Sequence, residues 1–193
     1  AAHAVITDTP NKDLNGAMFG TRISNGTTGL YAIDVIEEEV VLLEAVNGTI
    51  LENGTGYTNG LAYDPVSNKL YFTAPSSVNV TSSPLWSYDI GTGVLEKLCD
   101  LEGSVVSGSF YNGAYYYIAE GVNNLMKVVS PGIGSVAEVA ISGFGVASEF
   151  TFGDIAINSD GMLYGSTRVS PQMFFSLDMM TDAYTKYVGA TAL

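Results

Sequence analysis

Carboxylates are the residues of this chain best equipped for chemistry. Twenty acidic side chains stand against seven basic ones and a single histidine, and the formal charge is -13. Calcium is the cation that such oxygens favour, and it takes about six to eight of them. Asp154 follows Gly153 at the start of a predicted inner strand and is the first candidate ligand, with Glu149 and Glu120 approaching the same end. Gly60 and Gly108 introduce equivalent strands, but Leu61 and Ser109 follow them. No resident cofactor is therefore expected, with calcium on these three acids as the alternative. No catalytic residue is assigned. His3 is the only histidine, which leaves no Ser-His-Asp or Cys-His pairing and no zinc set. Asp13-Leu14-Asn15-Gly16 and Asn158-Ser159-Asp160-Gly161 echo pieces of calcium loops, but the full alternation is missing and both read as hairpin turns.

A second group of residues points to modification. Asn25, Asn47, Asn53 and Asn79 each open an Asn-x-Ser/Thr acceptor pattern. All four fall in predicted loops, where a glycan has room. They place the chain outside the cell, secreted or at the cell surface. Cys99 is the only cysteine, so no disulfide forms within the chain, and its apolar, strand-like surroundings predict a buried thiol. The acidic surface excludes a nucleic-acid role. No apolar run reaches the ~20 residues of a membrane-spanning helix.

What positions these residues is a repeat. Asn15-Gly16-Ala17-Met18-Phe19, Asn68-Lys69-Leu70-Tyr71, Asn112-Gly113-Ala114-Tyr115-Tyr116 and Asp160-Gly161-Met162-Leu163-Tyr164 are each a turn followed by an aromatic strand. Phe19, Tyr71, Tyr116 and Tyr164 recur at roughly 45 to 52 residues, a period of small four-stranded units. A glycine-led strand precedes the aromatic one in Gly60–Asp64, Gly108–Tyr111 and Gly153–Ile157, and Ala4–Thr7 takes that place in the first unit. The third strands are Leu30–Asp34, Leu85–Asp89, Leu125–Val129 and Phe174–Asp178. The fourth are Val40–Val46, Val94–Leu101, Val136–Ile141 and Ala183–Val188. Asp34, Asp89 and Asp178 should accept backbone N–H groups of the next turn. Glu37, Glu38 and Glu39 have helical propensity, but they align with Gly91-Thr92-Gly93 and read as a solvated turn. Tyr115, Tyr116 and Tyr117 are either a sugar-stacking platform or core, and strand alternation favours core for at least half of the tyrosines.

The predicted fold class is all-β: one β-propeller domain over 1–193, with four blades of four antiparallel strands at about 1–48, 49–103, 104–145 and 146–193. The alternative is part of a six- to eight-bladed propeller. Gly60-Leu61-Ala62-Tyr63-Asp64-Pro65-Val66-Ser67-Asn68-Lys69-Leu70-Tyr71-Phe72 resembles the repeat of YWTD, NHL and yellow-type extracellular propellers, although Phe72 stands where YWTD has tryptophan. The resemblance implies the fold and an extracellular binding role, and transfers no catalytic residue. The expected function is an extracellular, glycosylated structural, assembly or binding module, a surface-filament subunit included. Its partners would be further copies of itself, or extracellular protein or glycan. The alternative is a calcium-dependent, lactonase-like propeller hydrolase or a lectin-like sugar binder.

Overall fold

The computed structural model describes residues 16–24, 27–45, 58–74, 81–119, 124–130, 135–140, 152–167 and 173–188. Every regular element among them is a strand. Three strands form the first sheet, β1 (Met18–Ser24), β2 (Thr27–Asp34) and β3 (Glu39–Ala45). The second holds β4 (Asn59–Asp64), β5 (Lys69–Thr73), β6 (Ser82–Asp89) and β7 (Val94–Glu102). The third holds β8 (Val105–Tyr111), β9 (Ala114–Ala119), β10 (Asn124–Ser130) and β11 (Ser135–Ala140). The fourth holds β12 (Phe152–Ile157), β13 (Met162–Thr167), β14 (Met173–Asp178) and β15 (Ala183–Val188). Each sheet is an antiparallel meander, with neighbours in sequence paired. The opening strand expected at Ala4–Thr7 lies outside the described residues.

The meander fixes two ends for every sheet. At one end lie the tight turns after first and third strands, at 35–38, 65–68, 90–93, 112–113, 158–161 and 179–182. At the other lie the connections after second and fourth strands. The turns hold because each carries its own acceptor. Asp34 Oδ1 accepts from the N–H of Ile36 at 2.9 Å and of Glu37 at 3.0 Å. Asp89 Oδ1 accepts from Thr92 N–H, and Asp178 Oδ1 from Met180 and Thr181. Asp64 does the same for Val66 and also accepts from the Ser67 hydroxyl. The glutamate segment is the solvated turn the repeat predicts. These bonds, led by Thr92 N–H at Asp89 and Met180 N–H at Asp178, hold both carboxyls below the usual carboxylate range. A depressed folded-state pKa stabilises the fold above the unfolded value and loses that effect as pH falls. The melting temperature should therefore drop as pH is lowered through about 4. Asp89→Asn combined with Asp178→Asn should blunt that drop in a pH series of thermal melts.

Four residues after each of these aspartates the backbone turns left-handed: Glu38 has φ 54°, Gly93 φ 70° and Asp182 φ 57°. A side chain with a Cβ costs about 1–2 kcal/mol there, and glycine does not. Glu38→Gly should raise stability by roughly 0.5–1 kcal/mol after glycine's greater unfolded-state freedom is set against that relief. Urea titration checks it, and Gly93→Ala should shift the midpoint the other way.

The sheets stack face to face through three cores, each made by two successive sheets. Leu30 of the first sheet packs with Leu70, Phe72 and Tyr88 of the second, and Phe19 joins them. Phe19 also lies 4.7 Å, ring to ring, from Tyr63. Tyr71 and Leu85 on the other face of the second sheet meet Tyr115 and Tyr117 of the third. Ala114, Tyr116 and Ile118, on the opposite face of β9, meet Ile155, Leu163, Phe175 and Leu177 of the fourth. Alternation along the aromatic strand thus supplies both faces of each blade. Tyr115, Tyr116 and Tyr117 are all buried core, which removes them as a sugar platform.

Candidate functional site

The first strands β4, β8 and β12 run side by side, and their small residues set how closely they approach. Gly60 has φ 62°, and a Cβ on it or on Gly108 would run into the Tyr115 hydroxyl. That hydroxyl donates to Gly60 O at 2.7 Å from a fully buried ring. Burial drives its pKa far above the ordinary tyrosine value, so it serves as a fixed donor. One sheet further on, hydroxyls take over. The buried Ser107 Oγ donates to Asp154 Oδ1 at 2.9 Å and accepts from Ile155 N–H at 2.7 Å. Ser109 Oγ accepts from Ile157 N–H at 3.1 Å. The run Ser107-Gly108-Ser109 is therefore a latch on both neighbouring blades. Of these three residues, Gly108 alone carries a sequence signal for close approach.

Asp154 is exposed at this seam, and its carboxylate is engaged by Ser107 and by its own strand's Ile155 N–H at 3.0 Å. Glu149 and Glu120, the other two acids of the candidate calcium set, lie outside the described residues. Among the described residues no three His, Cys, Asp or Glu side chains stand together to hold a metal. Asn158 is hairpin chemistry: its side-chain oxygen accepts from Asp160 and Met162 N–H, and Gly161 follows at φ 81°. Cys99 is half-buried on β7 against the second core, and burial raises its thiol pKa.

Asn25, Asn47, Asn53 and Asn79 also lie outside the described residues, in segments 25–26, 46–57 and 75–80. The strand ends that flank those segments are Ser24 and Thr27, Ala45 and Asn59, and Thr73 and Ser82. All belong to the end opposite the tight turns. The turn end carries different chemistry. Ile36, Val66 and Met180 stand out from three different turns as exposed apolar side chains, with Val35 beside Ile36. The sequence gives no signal for this sidedness one residue at a time. It emerges only when every turn is assigned to its end of a blade.

Among the described residues no helix is long and apolar enough to cross a membrane. No protein-family model matches the chain, and no curated protein matches it significantly. Solved structures do. A chain in a crystal structure of a nidogen/laminin complex superposes with a TM-score of 0.62 at 11% identity, over 88% of this chain and 60% of its own length. TolB from Acinetobacter baumannii superposes with a TM-score of 0.58 at 17% identity, over 88% of this chain and 40% of its own. This chain thus spans less than two thirds of either. Both are propellers, and together with the four antiparallel sheets they show that the chain has a β-propeller fold.

Proposed function

We propose that this chain is an extracellular, glycosylated β-propeller that works as a binding or assembly module. The observation that carries the reading is the sidedness of the blades. The four acceptor asparagines fall in segments attached to one end, and the exposed apolar residues Ile36, Val66 and Met180 mark the other. Sugar on one end keeps that end in solvent. Apolar residues raised on tight turns suit contact with a protein. A propeller solved in a nidogen/laminin complex gives a precedent for the fold in protein contacts. The charge of -13 sets nucleic acid aside as a partner. Of the three candidate calcium ligands, the described one, Asp154, is engaged by the Ser107 hydroxyl and the Ile155 N–H.

Peptide-level mass spectrometry of protein from its native source tests the reading. Glycans should be found on Asn25, Asn47, Asn53 and Asn79. Bare asparagines at all four positions would overturn the extracellular glycoprotein.

A further inference from the structure

Asp34, Asp64 and Asp178 each hold a tight turn by accepting the N–H of the residue two places on, at 2.9, 2.9 and 2.8 Å. Those residues are Ile36, Val66 and Met180, so each turn raises an apolar side chain on the backbone that its aspartate clamps. They are 90%, 94% and 77% exposed. A single exposed apolar residue needs no explanation. Three at one position of a repeat do, because the turn does not require them. Gly91 holds the same position after Asp89 with no side chain. That turn still closes, through Thr92 N–H on Asp89 Oδ1 at 2.9 Å and Gly93 N–H on Asp89 O at 2.8 Å. Packing does not require them either, since most of their surface faces solvent.

The same end gathers more side chains of this kind. Nine large apolar side chains are exposed among the described residues, and seven of them stand in these turns or in the two strand rows beside them. The other four of the seven are Met18, Val35, Tyr63 and Val94. Just beneath the turns, successive sheets are in contact. Phe19 and Tyr63 lie 4.7 Å apart, ring to ring, and Tyr71 stacks on Phe110 at 4.7 Å. A Cβ on Gly161 would meet the Tyr111 hydroxyl at 2.8 Å. The charge at this end is one-sided. Glu37, Glu38, Asp160 and Asp182 stand exposed in the turns, and the rows that border them add Glu39 and the four turn aspartates. Lys69 is the one base among the described residues of these turns and rows, and the register sets it between Asp64 and Asp89. A second copy would bring the same acids to the contact, in a chain of -13, and an anionic membrane would bring more negative charge. The surface that complements this end is apolar and carries cations.

We propose that the turn end of the blades docks a partner protein whose contact surface is apolar and bears lysine or arginine. Ile36, Val66 and Met180 are the apolar anchors, and the acids among them meet the cations. The proposal rests on the reading of the chain as a binding module and names the chemistry of its partner. Turns clamped by their own aspartates have little freedom left to lose on contact, which favours binding through them. Opposite charge steers the approach and discriminates against acidic partners.

An amphipathic peptide of leucine and lysine is the probe, with a leucine–glutamate and a serine–lysine peptide as controls, each titrated into the glycosylated chain. The leucine–lysine peptide should bind, more weakly as salt is raised, and should shift the amide resonances of residues 35–38, 65–68 and 179–182. Both controls should bind more weakly. Ile36→Ser, Val66→Ser and Met180→Ser combined should weaken binding by about tenfold or more, the effect of losing interfacial anchors. That variant should keep the wild-type circular dichroism and melting temperature, since all three residues are exposed. Glu37→Gln with Glu38→Gln should weaken binding and flatten its salt dependence. No binding, equal binding of the leucine–lysine and leucine–glutamate peptides, shifts confined to other residues, or a triple variant that binds as the wild type does would overturn the proposal. So would self-association, or adsorption to phosphatidylcholine vesicles, that the triple variant abolishes, because the occupant would then be a second copy or a lipid surface. Glycans on the four asparagines without peptide binding would remove this surface and leave the extracellular glycoprotein standing. Peptide binding with bare asparagines would do the reverse.

Discussion

Gly108→Ala is expected to cost about 3 kcal/mol or more, near the upper end of what overpacking a core exacts. The added methyl meets the Tyr115 hydroxyl and ring, with Gly60 O close behind. None of these can give way easily. The tyrosine is wholly buried, its hydroxyl is committed to Gly60 O, and Tyr117 stacks beside it at 6.3 Å. Total stability of such domains is about 5–15 kcal/mol, so the variant should be much destabilised or unfolded at ordinary temperature. Tyr115→Phe is the control. Alone it should cost about 1–3 kcal/mol by leaving a buried carbonyl without its donor. In the Gly108→Ala background it removes the atom nearest the new methyl, so the double variant should be more stable than the sum of the two losses. Urea unfolding of the four proteins reads this coupling directly. Strict additivity would mean that glycine and hydroxyl do not share the seam.

Leu85→Asp should unfold the chain, while Phe174→Asp at the same repeat position should not. Leu85 is enclosed between the second and third sheets with Leu101, Tyr71 and Tyr115. A carboxylate there has no partner and stays charged only at a cost of about 4–7 kcal/mol, equivalent to the three- to five-unit shifts of buried acids. Phe174, on the fourth sheet, is 48% exposed. Its replacement removes a stacked ring from Tyr164 and places the carboxylate in water. Far-ultraviolet circular dichroism and a thermal melt of each variant separate the two outcomes. Equal loss at both positions would show that the fourth sheet is enclosed as the second is.

The contrast between these two residues marks what the sequence shows and what it hides. The repeat aligns Leu85 with Phe174 and Tyr71 with Tyr164, because strand order and turn chemistry are local. Asp34, Asp89 and Asp178 could be assigned to turns for the same reason: the N–H groups they accept lie within three residues. The aligned glycines of the second unit outweighed the helical propensity of Glu37 to Glu39 for a similar reason. Contacts between blades are another matter. Ser107 and Ile155 are 48 residues apart, and a serine beside a glycine carries no mark of the N–H it will accept. Tyr115 reaches Gly60 across 55 residues. Asp154 is legible as an unusual acid at an inner strand, whereas the serine of the previous blade that donates to it is not. The tyrosine run shows the same limit in reverse. Composition alone allows a sugar platform, and only the faces of β9 show that both sides of the strand are enclosed.

A density map at side-chain resolution of the particle from its native source tests the account most directly. Sugar density should continue from Asn25, Asn47, Asn53 and Asn79. Bare asparagines at all four positions would contradict the reading of an extracellular, glycosylated module.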